Sequence, residues 1–291
     1  MPNPIADPLV ENAVSPDLEG LVTIDASVVG AVVVTINRPE TNNALNGEVC
    51  AALKEAFETL HAADHVRVVF LRGAGGNFSS GVDMEWLRTA AADWTEADLR
   101  DDAMTMAGML HALTTIPALT VALVEGAATG GGAGLVAACD MAVSAADARY
   151  AFPEVRMGGV PAVVAPYVVN AIGPRQAKNL FMTGRTFDAA YAQQIGLVQQ
   201  IVDSPPPEDS GGDASGAIGV VIQRLTAEAL ANGPEAMHQA KRMVWEVWGR
   251  PLDRGLMEET AKRFARVRFS EEGREGLAAV IEGRLPSWAI A

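Results

Sequence analysis

The sequence predicts an α/β fold in which strands and helices alternate along one large domain, or along a core with a small appendage. Segments rich in β-branched residues alternate with segments whose apolar residues recur every three or four positions. Three glycine-rich loops each follow a strand-like segment and could therefore lie at the edge of one site. Of the 291 residues, 49% are apolar, which is enough for a sizeable core and excludes wholesale disorder.

The N-terminal part predicts a tail, a hairpin and a helix. Residues 1–20 are rich in Pro, Asn and Asp and indicate a mobile tail. The segments Leu21–Asp25 and Ala31–Ile36 flank a turn at Gly30 and indicate a β-hairpin. A helix is expected over residues 47–62, because apolar side chains recur at helical spacing: Val49, Leu53, Phe57 and Leu60.

The middle of the chain continues the alternation of strands and helices. Further strands are expected at Val66–Leu71, Ala118–Val124, Met141–Ser144 and Ala148–Phe152. Helices are expected at Glu96–Leu113, from the second glycine cluster to Cys139, and at 162–171, 174–182 and 188–194. This spacing, with about two strands for each helix, is what favours the α/β class.

The C-terminal part is helical and follows a linker. Residues 203–217 are dense in Pro, Gly, Ser and acidic residues, which is typical of a solvated linker or loop. Helical patterns cover 218–248 and 256–282. The predicted organisation is a tail over 1–20, an α/β core over 21–202, a linker over 203–217 and a helical module over 218–291.

The charge distribution bears on possible ligands. The net charge is −14, so the chain is a poor candidate for binding nucleic acid, whose phosphates would repel it. Residues 241–291 nevertheless carry ten basic and eight acidic side chains, whereas the preceding 240 residues are strongly acidic. An anionic ligand is therefore more readily bound near the C-terminus than elsewhere.

Cysteine use and hydropathy exclude several other classes. Cys50 and Cys139 lie in apolar surroundings without a metal-binding pattern, so we expect buried thiols, no disulfide framework and no metal site. The N-terminus lacks the features of a secretory signal. The longest apolar stretch is broken by Glu125 and several glycines, which makes it unsuited to cross a bilayer. These observations predict a cytoplasmic protein without a membrane partner.

The three glycine-rich loops are Gly73–Met84, Glu125–Gly134 and Phe152–Pro161. A glycine cluster after a strand is often only a turn. The first loop fails as a dinucleotide fingerprint, because Phe78 stands where the third glycine belongs. Neither cluster is followed by a P-loop lysine, and the sequence has no GxSxG or HExxH motif.

Taken together, these loops resemble the crotonase (enoyl-CoA hydratase/isomerase) family. The matching segments, in family order, are Asn37-Arg38-Pro39 with Asn43–Asn46, Phe78–Asp83, Gly130–Gly132 before a helix ending at Cys139-Asp140, Pro153-Glu154, Gly184 and Gly196–Val198. The resemblance is strong over residues 21–202 and weaker in the C-terminal helices. It implies a spiral of ββα turns, followed by helices that assemble a trimer or a dimer of trimers.

The resemblance also implies a catalytic centre for thioester chemistry. By motif match, the backbone N–H groups of Val82 and Gly131 would form an oxyanion hole. Gly131 precedes a helix, so its amide would lie near the positive end of the helix dipole. Glu154 would be the acid–base group, with its pKa raised by partial burial.

One family position differs in this chain. Well-known hydratases carry a second glutamate three residues after the oxyanion glycine, where this sequence has Gly134. The resemblance therefore implies an enoyl-CoA hydratase that uses Glu154 alone, similar to hydratases of branched acyl-CoAs such as methylglutaconyl-CoA in leucine breakdown. The alternatives are a Δ3,Δ2-enoyl-CoA isomerase that uses Glu154 as a proton shuttle, and a non-catalytic acyl-CoA-binding homologue.

The same resemblance implies residues that bind the acyl-CoA thioester. These are Arg38, Ala44, Ser80, Asp83, Gly130, Lys262, Arg263, Phe264 and Arg284, the last four from the same or a neighbouring subunit. Residues 162–170 would contribute to the acyl pocket. A dicarboxylic substrate would need a cation facing that pocket, and Arg156 is expected to face solvent instead. No separate cofactor is expected, because coenzyme A enters as part of the substrate.

Overall fold

The computed structural model describes residues 14–18, 20–203 and 216–289, so most of the predicted tail and linker lies outside it. The strands are β1 (Val22–Val28), β2 (Ala31–Ile36), β3 (Val68–Gly73), β4 (Leu119–Val124), β5 (Ala127–Thr129), β6 (Met141–Ala145), β7 (Arg149–Ala151), β8 (Phe187–Asp188) and β9 (Gln200–Val202). The helices are α1 (Gly47–His61), α2 (Met84–Asp93), α3 (Glu96–Thr115), α4 (Gly131–Ala138), α5 (Ala165–Thr183), α6 (Ala189–Gln194), α7 (Ala217–Leu230), α8 (Pro234–Val247), α9 (Arg254–Phe269) and α10 (Glu271–Glu282).

Two sheets form the core, and from β4 onward the chain passes back and forth between them. The larger sheet has the order β1-β2-β3-β4-β6-β9, with every pair parallel except the β1–β2 hairpin. The smaller sheet has the order β5-β7-β8. The chain passes from β4 in the larger sheet to β5 in the smaller one, returns at β6, and passes again to β7 and β8 before β9 completes the larger sheet. This alternation brings the loops that follow the strands to a common edge.

The hydrophobic core lies between the sheets and the helices that pack on them. The strand β3 is buried along almost its whole length, as expected for the centre of a parallel sheet. Helices α1 and α3 pack against each other and against this sheet through fully buried side chains, among them Phe57 and Leu113. Phe57 falls on the apolar face that the helical spacing predicts.

Several elements differ from the expectation drawn from sequence. The helix α2 was not predicted; it begins because the Asp83 side chain accepts hydrogen bonds from the N–H groups of Glu85 and Trp86. The short strands β5, β8 and β9 were also missed. The helices expected at 162–171 and 174–182 form one helix with a break at Gly173, which has φ of 75° and precedes Pro174.

The described part of the predicted tail is packed rather than free. Residues 16–18 form a 3₁₀ turn, and Val14 and Leu18 lie against the core. The N–H of Ser15 donates a 2.8 Å hydrogen bond to the Glu55 carboxylate of α1. The predicted tail over residues 1–20 therefore does not extend to residues 14–18. Residues 1–13 lie outside the description.

Among the C-terminal helices, α7 packs on the sheet through Val221, Leu225 and Ala229, whereas α8–α10 contact the core sparingly. Within α8, α9 and α10 only Leu256 and Ala279 are buried. One link to the sheet is the Lys241 ammonium of α8, which lies 2.7 Å from Asp140 Oδ2 and 3.2 Å from the Ala118 carbonyl oxygen. Large apolar side chains on this module face solvent in the single chain, including Trp248, Phe264 and Ile281. Among the residues described, no helix is long and apolar enough to cross a membrane.

We predict that Phe57→Ala lowers the free energy of unfolding by about 3–5 kcal/mol, because it opens a cavity between α1, α3 and the sheet. His61→Ala in the last turn of the same helix is the control, since this side chain is exposed and its loss should change stability by less than about 0.5 kcal/mol. Denaturant titration of both variants measures the difference. Equal effects would contradict the assigned packing.

Candidate active site

A cavity of about 360 Å³ lies where the three glycine-rich loops meet. Its wall contains Ser80–Val82 from the first loop, Thr129–Gly131 from the second, and Pro153 and Glu154 from the third. Apolar side chains cover much of the remainder: Leu45, Met84, Met106, Met157, Val160, Val163 and Val164. The sheet topology therefore brings together three segments that are distant in sequence.

The first loop presents the Val82 amide to this cavity. Leu45 bridges the residues on either side of Val82: its N–H donates to the Gly81 carbonyl at 2.7 Å, and its carbonyl accepts from the Asp83 N–H at 2.9 Å. In such a parallel bridge the N–H of the middle residue points away from the partner. The Val82 N–H accordingly has no acceptor in the described part of the chain and lines the cavity.

The second loop presents the amide of Gly131, the first residue of α4. Gly130 has φ of 52°, a left-handed conformation that favours glycine, and its N–H donates to the Ala151 carbonyl at 2.9 Å. The Gly131 N–H belongs to the first turn, where helical amides lack intrahelical acceptors, and no other described residue accepts from it. It also lies at the positive end of the helix dipole. Two unpaired amides from different loops thus line one cavity and can stabilise an oxyanion.

Glu154 supplies the carboxylate of the cavity. It begins a 3₁₀ turn, and its Oε1 lies 3.1 Å from the position that a Cβ on Gly130 would occupy. Its Oε2 is buried without a hydrogen-bond partner among the described residues. Burial raises the pKa of this carboxyl, and a bond from its own backbone N–H offsets only part of that rise. The carboxylate is therefore suited to take up and release a proton.

Two residues expected to bind substrate instead hold the loops together. Arg38 Nη1 lies 2.9 Å from Asp83 Oδ2 and donates to the Ala44 carbonyl at 2.9 Å. Burial raises the pKa of Asp83, but hydrogen bonds from Arg38 and from two backbone amides outweigh that effect, so its pKa is lowered. Neither charged group is part of the cavity wall. This ion pair connects the segment before α1 with the start of α2, and so supports Val82 between them.

Of the other predicted binding residues, Ala44 is buried and does not line the cavity, and the rest are divided between the cavity and the surface. Ser80 and Gly130 line the cavity, and the Ser80 hydroxyl also donates to the Thr41 carbonyl at 3.1 Å. Four C-terminal residues do not reach it within this chain. Arg263 pairs with Glu246, Arg284 pairs with Glu275 and Glu282, and Lys262 and Phe264 are exposed. Their contribution to coenzyme A binding stays a prediction.

Val164, the residue before α5, fills the space beside Gly134, where other family members carry a second glutamate. A Cβ on Gly134 would lie 2.2 Å from Val164 Cγ1 and 2.8 Å from Val164 Cβ. Val164 is buried and contributes to the cavity wall. A larger side chain therefore cannot be accommodated at position 134 unless Val164 moves or is replaced. Of the two carboxylates that line this cavity, Glu154 is the one that lies against Gly130, next to the Gly131 amide.

The segment predicted to line the acyl pocket, residues 162–170, contributes to the walls of two different cavities. Residues 162–164 line the cavity described above. Tyr167 and Asn170 instead line a larger cavity of about 650 Å³ beneath α8, together with Lys241 and Trp245. Size does not identify the active site here, because Asp140 in the larger cavity is already paired with Lys241 and the unpaired amides lie elsewhere.

Sequence reasoning missed the wall formed by α1, α2 and α3. Cys50, Trp86, Asp102 and Met106 all line the active-site cavity. The Trp86 indole donates to Asp102 Oδ1 at 3.2 Å. Burial raises the pKa of Asp102 and the indole bond lowers it, with burial dominant. Asp102 lies in the half of α3 that is not buried, among Asp98 and Asp101, so the sequence gives no signal that sets it apart from neighbouring acidic residues.

Comparison with known proteins agrees with this geometry. The profile of the enoyl-CoA hydratase/isomerase family matches residues 26–290. A Thermus thermophilus protein named as an enoyl-CoA hydratase is 34% identical over 254 residues, covering 87% of this chain and 95% of that protein. The mouse mitochondrial methylglutaconyl-CoA hydratase is 28% identical over 89% of this chain and 79% of its own.

Solved structures show the same fold. The enoyl-CoA hydratase of Shewanella pealeana superposes with a TM-score of 0.86 at 27% identity, covering 97% of this chain and 98% of that chain. Pseudomonas aeruginosa AtuE superposes with a TM-score of 0.84 at 31% identity, covering 93% of this chain and 100% of that chain. The predicted crotonase-type α/β fold is thereby confirmed, and the chain belongs to the enoyl-CoA hydratase/isomerase family.

Proposed function

We propose that the chain is an enoyl-CoA hydratase, which adds water across the double bond of a 2-enoyl-CoA thioester. The observation that carries this proposal is the meeting of two unpaired amides, at Val82 and Gly131, with the half-buried carboxylate of Glu154 in one cavity. The names of the relatives support the same reaction. No separate cofactor is required, because coenzyme A enters with the acyl group.

The geometry divides the reaction between backbone and side chain. The amides of Val82 and Gly131 donate to the thioester oxygen and stabilise the negative charge that develops there. Glu154 accepts a proton from water while the water oxygen bonds to C3 of the acyl group. The protonated carboxyl then delivers that proton to C2, so that one water molecule is added and Glu154 is regenerated.

Isomerisation of a 3-enoyl-CoA to a 2-enoyl-CoA is the second candidate. It is favoured by one specific observation, the replacement of the second glutamate position by Gly134 packed under Val164. Moving a proton between two carbons needs one acid–base group, and Glu154 can fill that role alone. Both reactions use the same oxyanion site and differ in whether a water molecule enters.

The C-terminal module supports a proposal about assembly. Apolar side chains on α8–α10 are largely exposed in the single chain, Trp248 by 69% and Phe264 by 71%. Large apolar side chains that stay exposed along several neighbouring helices are typical of subunit interfaces. We propose a trimer or a dimer of trimers, in which Lys262, Arg263 and Arg284 approach the phosphates of coenzyme A in the same or a neighbouring subunit. The cytoplasmic location and a place in leucine breakdown stay predictions.

We expect Glu154→Gln to retain the fold and thioester binding, because size and hydrogen-bonding capacity change little. Turnover should fall by about 10²–10⁴-fold, since the acid–base group is lost while the backbone donors remain. Incubation with crotonyl-CoA and with a 3-enoyl-CoA, followed at the enoyl thioester absorbance, separates the candidates: hydration bleaches this absorbance and isomerisation creates it. Glu85→Gln is the control, an exposed carboxylate paired with Arg88. Near-normal turnover of Glu154→Gln would contradict the proposal that Glu154 alone acts as the acid–base group.

We expect Gly134→Glu to lose stability and activity instead of gaining a second acid, because its Cβ would overlap Val164. The cost of such overpacking is about 1–3 kcal/mol. Combining it with Val164→Gly removes both overlapping atoms and should restore stability relative to Gly134→Glu. Thermal melts and hydratase assays of the two variants, with Val164→Gly alone as control, test this. A stable, active Gly134→Glu enzyme would show that the site is open.

Sedimentation velocity of the full chain at micromolar concentration should show a trimer or a hexamer. The physical reason is the apolar surface of α8–α10, which a single chain leaves exposed to water. A single monomeric species at this concentration would exclude the proposed assembly.

A further inference from the structure

One wall of the active-site cavity carries groups that the proposed reaction does not use. It is built from the start of α1, from α2 and from α3, and contains Trp86, Asp102 and Met106. Met106 lies over the oxyanion site, because its Cε is 2.6 Å from the position of a Cβ on Gly131. Asp102 lies four residues before Met106 on α3, about 6 Å along the helix axis. Asp102 therefore lines the cavity one turn away from the side chain that covers the oxyanion site.

The Asp102 carboxylate retains an unused acceptor in this wall. Trp86 Nε1 donates to Oδ1 at 3.2 Å, and no described residue donates to Oδ2. Its immediate neighbours in the cavity wall are the apolar Met106 and the thiol of Cys50. Burial raises the pKa of that thiol to about 12, so it adds no charge. A half-buried carboxylate oxygen in such surroundings gains from a hydrogen-bond donor on the ligand.

The cavity offers no positive charge to balance an acidic acyl group. None of the described residues that line it is lysine, arginine or histidine, and the two carboxylates in its wall are Glu154 and Asp102. Arg156, the nearest candidate in sequence, is exposed and its Nε lies beside Gly184, outside the cavity. A carboxylate at the far end of the acyl chain would thus enter a site that already holds like charges.

We propose that Asp102 determines specificity: it selects acyl groups whose far end is neutral and donates a hydrogen bond, such as a hydroxyl group, and it rejects acyl groups that end in a carboxylate. This inference rests on the proposed function, since it concerns the acyl group of the same thioester. It argues against a dicarboxylic substrate such as methylglutaconyl-CoA, and hence against the predicted place in leucine breakdown, although one relative is named as a methylglutaconyl-CoA hydratase.

The experiment compares matched 2-enoyl-CoA thioesters of six and eight carbons that end in a methyl, a hydroxyl or a carboxyl group. The wild-type enzyme should turn over the hydroxyl-ended substrate with a kcat/KM at least about tenfold above that of the carboxyl-ended one. Asp102→Asn removes the charge and keeps an acceptor, so the kcat/KM of the carboxyl-ended substrate should rise by about tenfold. Asp101→Asn is the matched control, because Asp101 is exposed, pairs with Arg100 and does not line the cavity.

A second variant isolates the hydrogen bond. Asp102→Leu keeps the wall filled but removes the acceptor, so the advantage of the hydroxyl-ended over the methyl-ended substrate should disappear. Unchanged substrate ratios in both Asp102 variants, with normal turnover of the methyl-ended substrate, would overturn this proposal and leave the hydratase function intact. Absence of turnover for all three substrates in the folded wild-type enzyme would overturn the proposed function itself.

Discussion

The active site depends on how closely two loop backbones approach each other. A Cβ on Gly81 would lie 2.7 Å from the Thr129 carbonyl oxygen, and a Cβ on Gly132 would lie 2.7 Å from Ser79 Cβ. Only glycine allows these separations. The approach orders the first loop against the second, and it leaves the amides of Val82 and Gly131 as the unpaired donors that face the cavity. Their orientation is set before any substrate binds, which is what electrostatic stabilisation of an oxyanion requires.

The carboxylates around the site illustrate two different uses of burial. Asp83 is buried but compensated by Arg38 and by two backbone amides, so it stays ionised and supports the loops. Glu154 is buried without such compensation at Oε2, which weakens its charged form and favours exchange of a proton. Asp102 lies between these extremes, with one oxygen bonded to Trp86 and the other available to a ligand. Local compensation, not burial alone, therefore decides the role of each group.

The C-terminal module depends more on ion pairs, and less on buried apolar contacts, than the core does. Its first helix, α7, buries Val221, Leu225 and Ala229 against the sheet. The later helices α8–α10 have few buried contacts, and one of their links to the sheet is the pairing of Lys241 with Asp140. Most of the basic side chains there are occupied by neighbouring acids, as Arg263 is by Glu246. Ion pairs with these acids therefore neutralise most of the positive charge that the sequence shows in the module. What remains available to an anionic ligand depends on how subunits assemble around these helices.

The sequence by itself determined the fold class and the order of the main strands and helices. Its resemblance to the family also singled out Val82, Gly131 and Glu154, which the structure brings to one cavity. The fold class and the element order could be predicted because glycine clusters, β-branched segments and helical apolar spacing act over short distances along the chain. Only the tertiary structure decided what surrounds these groups. That Val164 fills the space beside Gly134, that Arg38 and Asp83 bind each other, and that Asp102 and Trp86 join the cavity wall are contacts between distant segments. Such contacts depend on the packing of the spiral, which leaves no local pattern in the sequence.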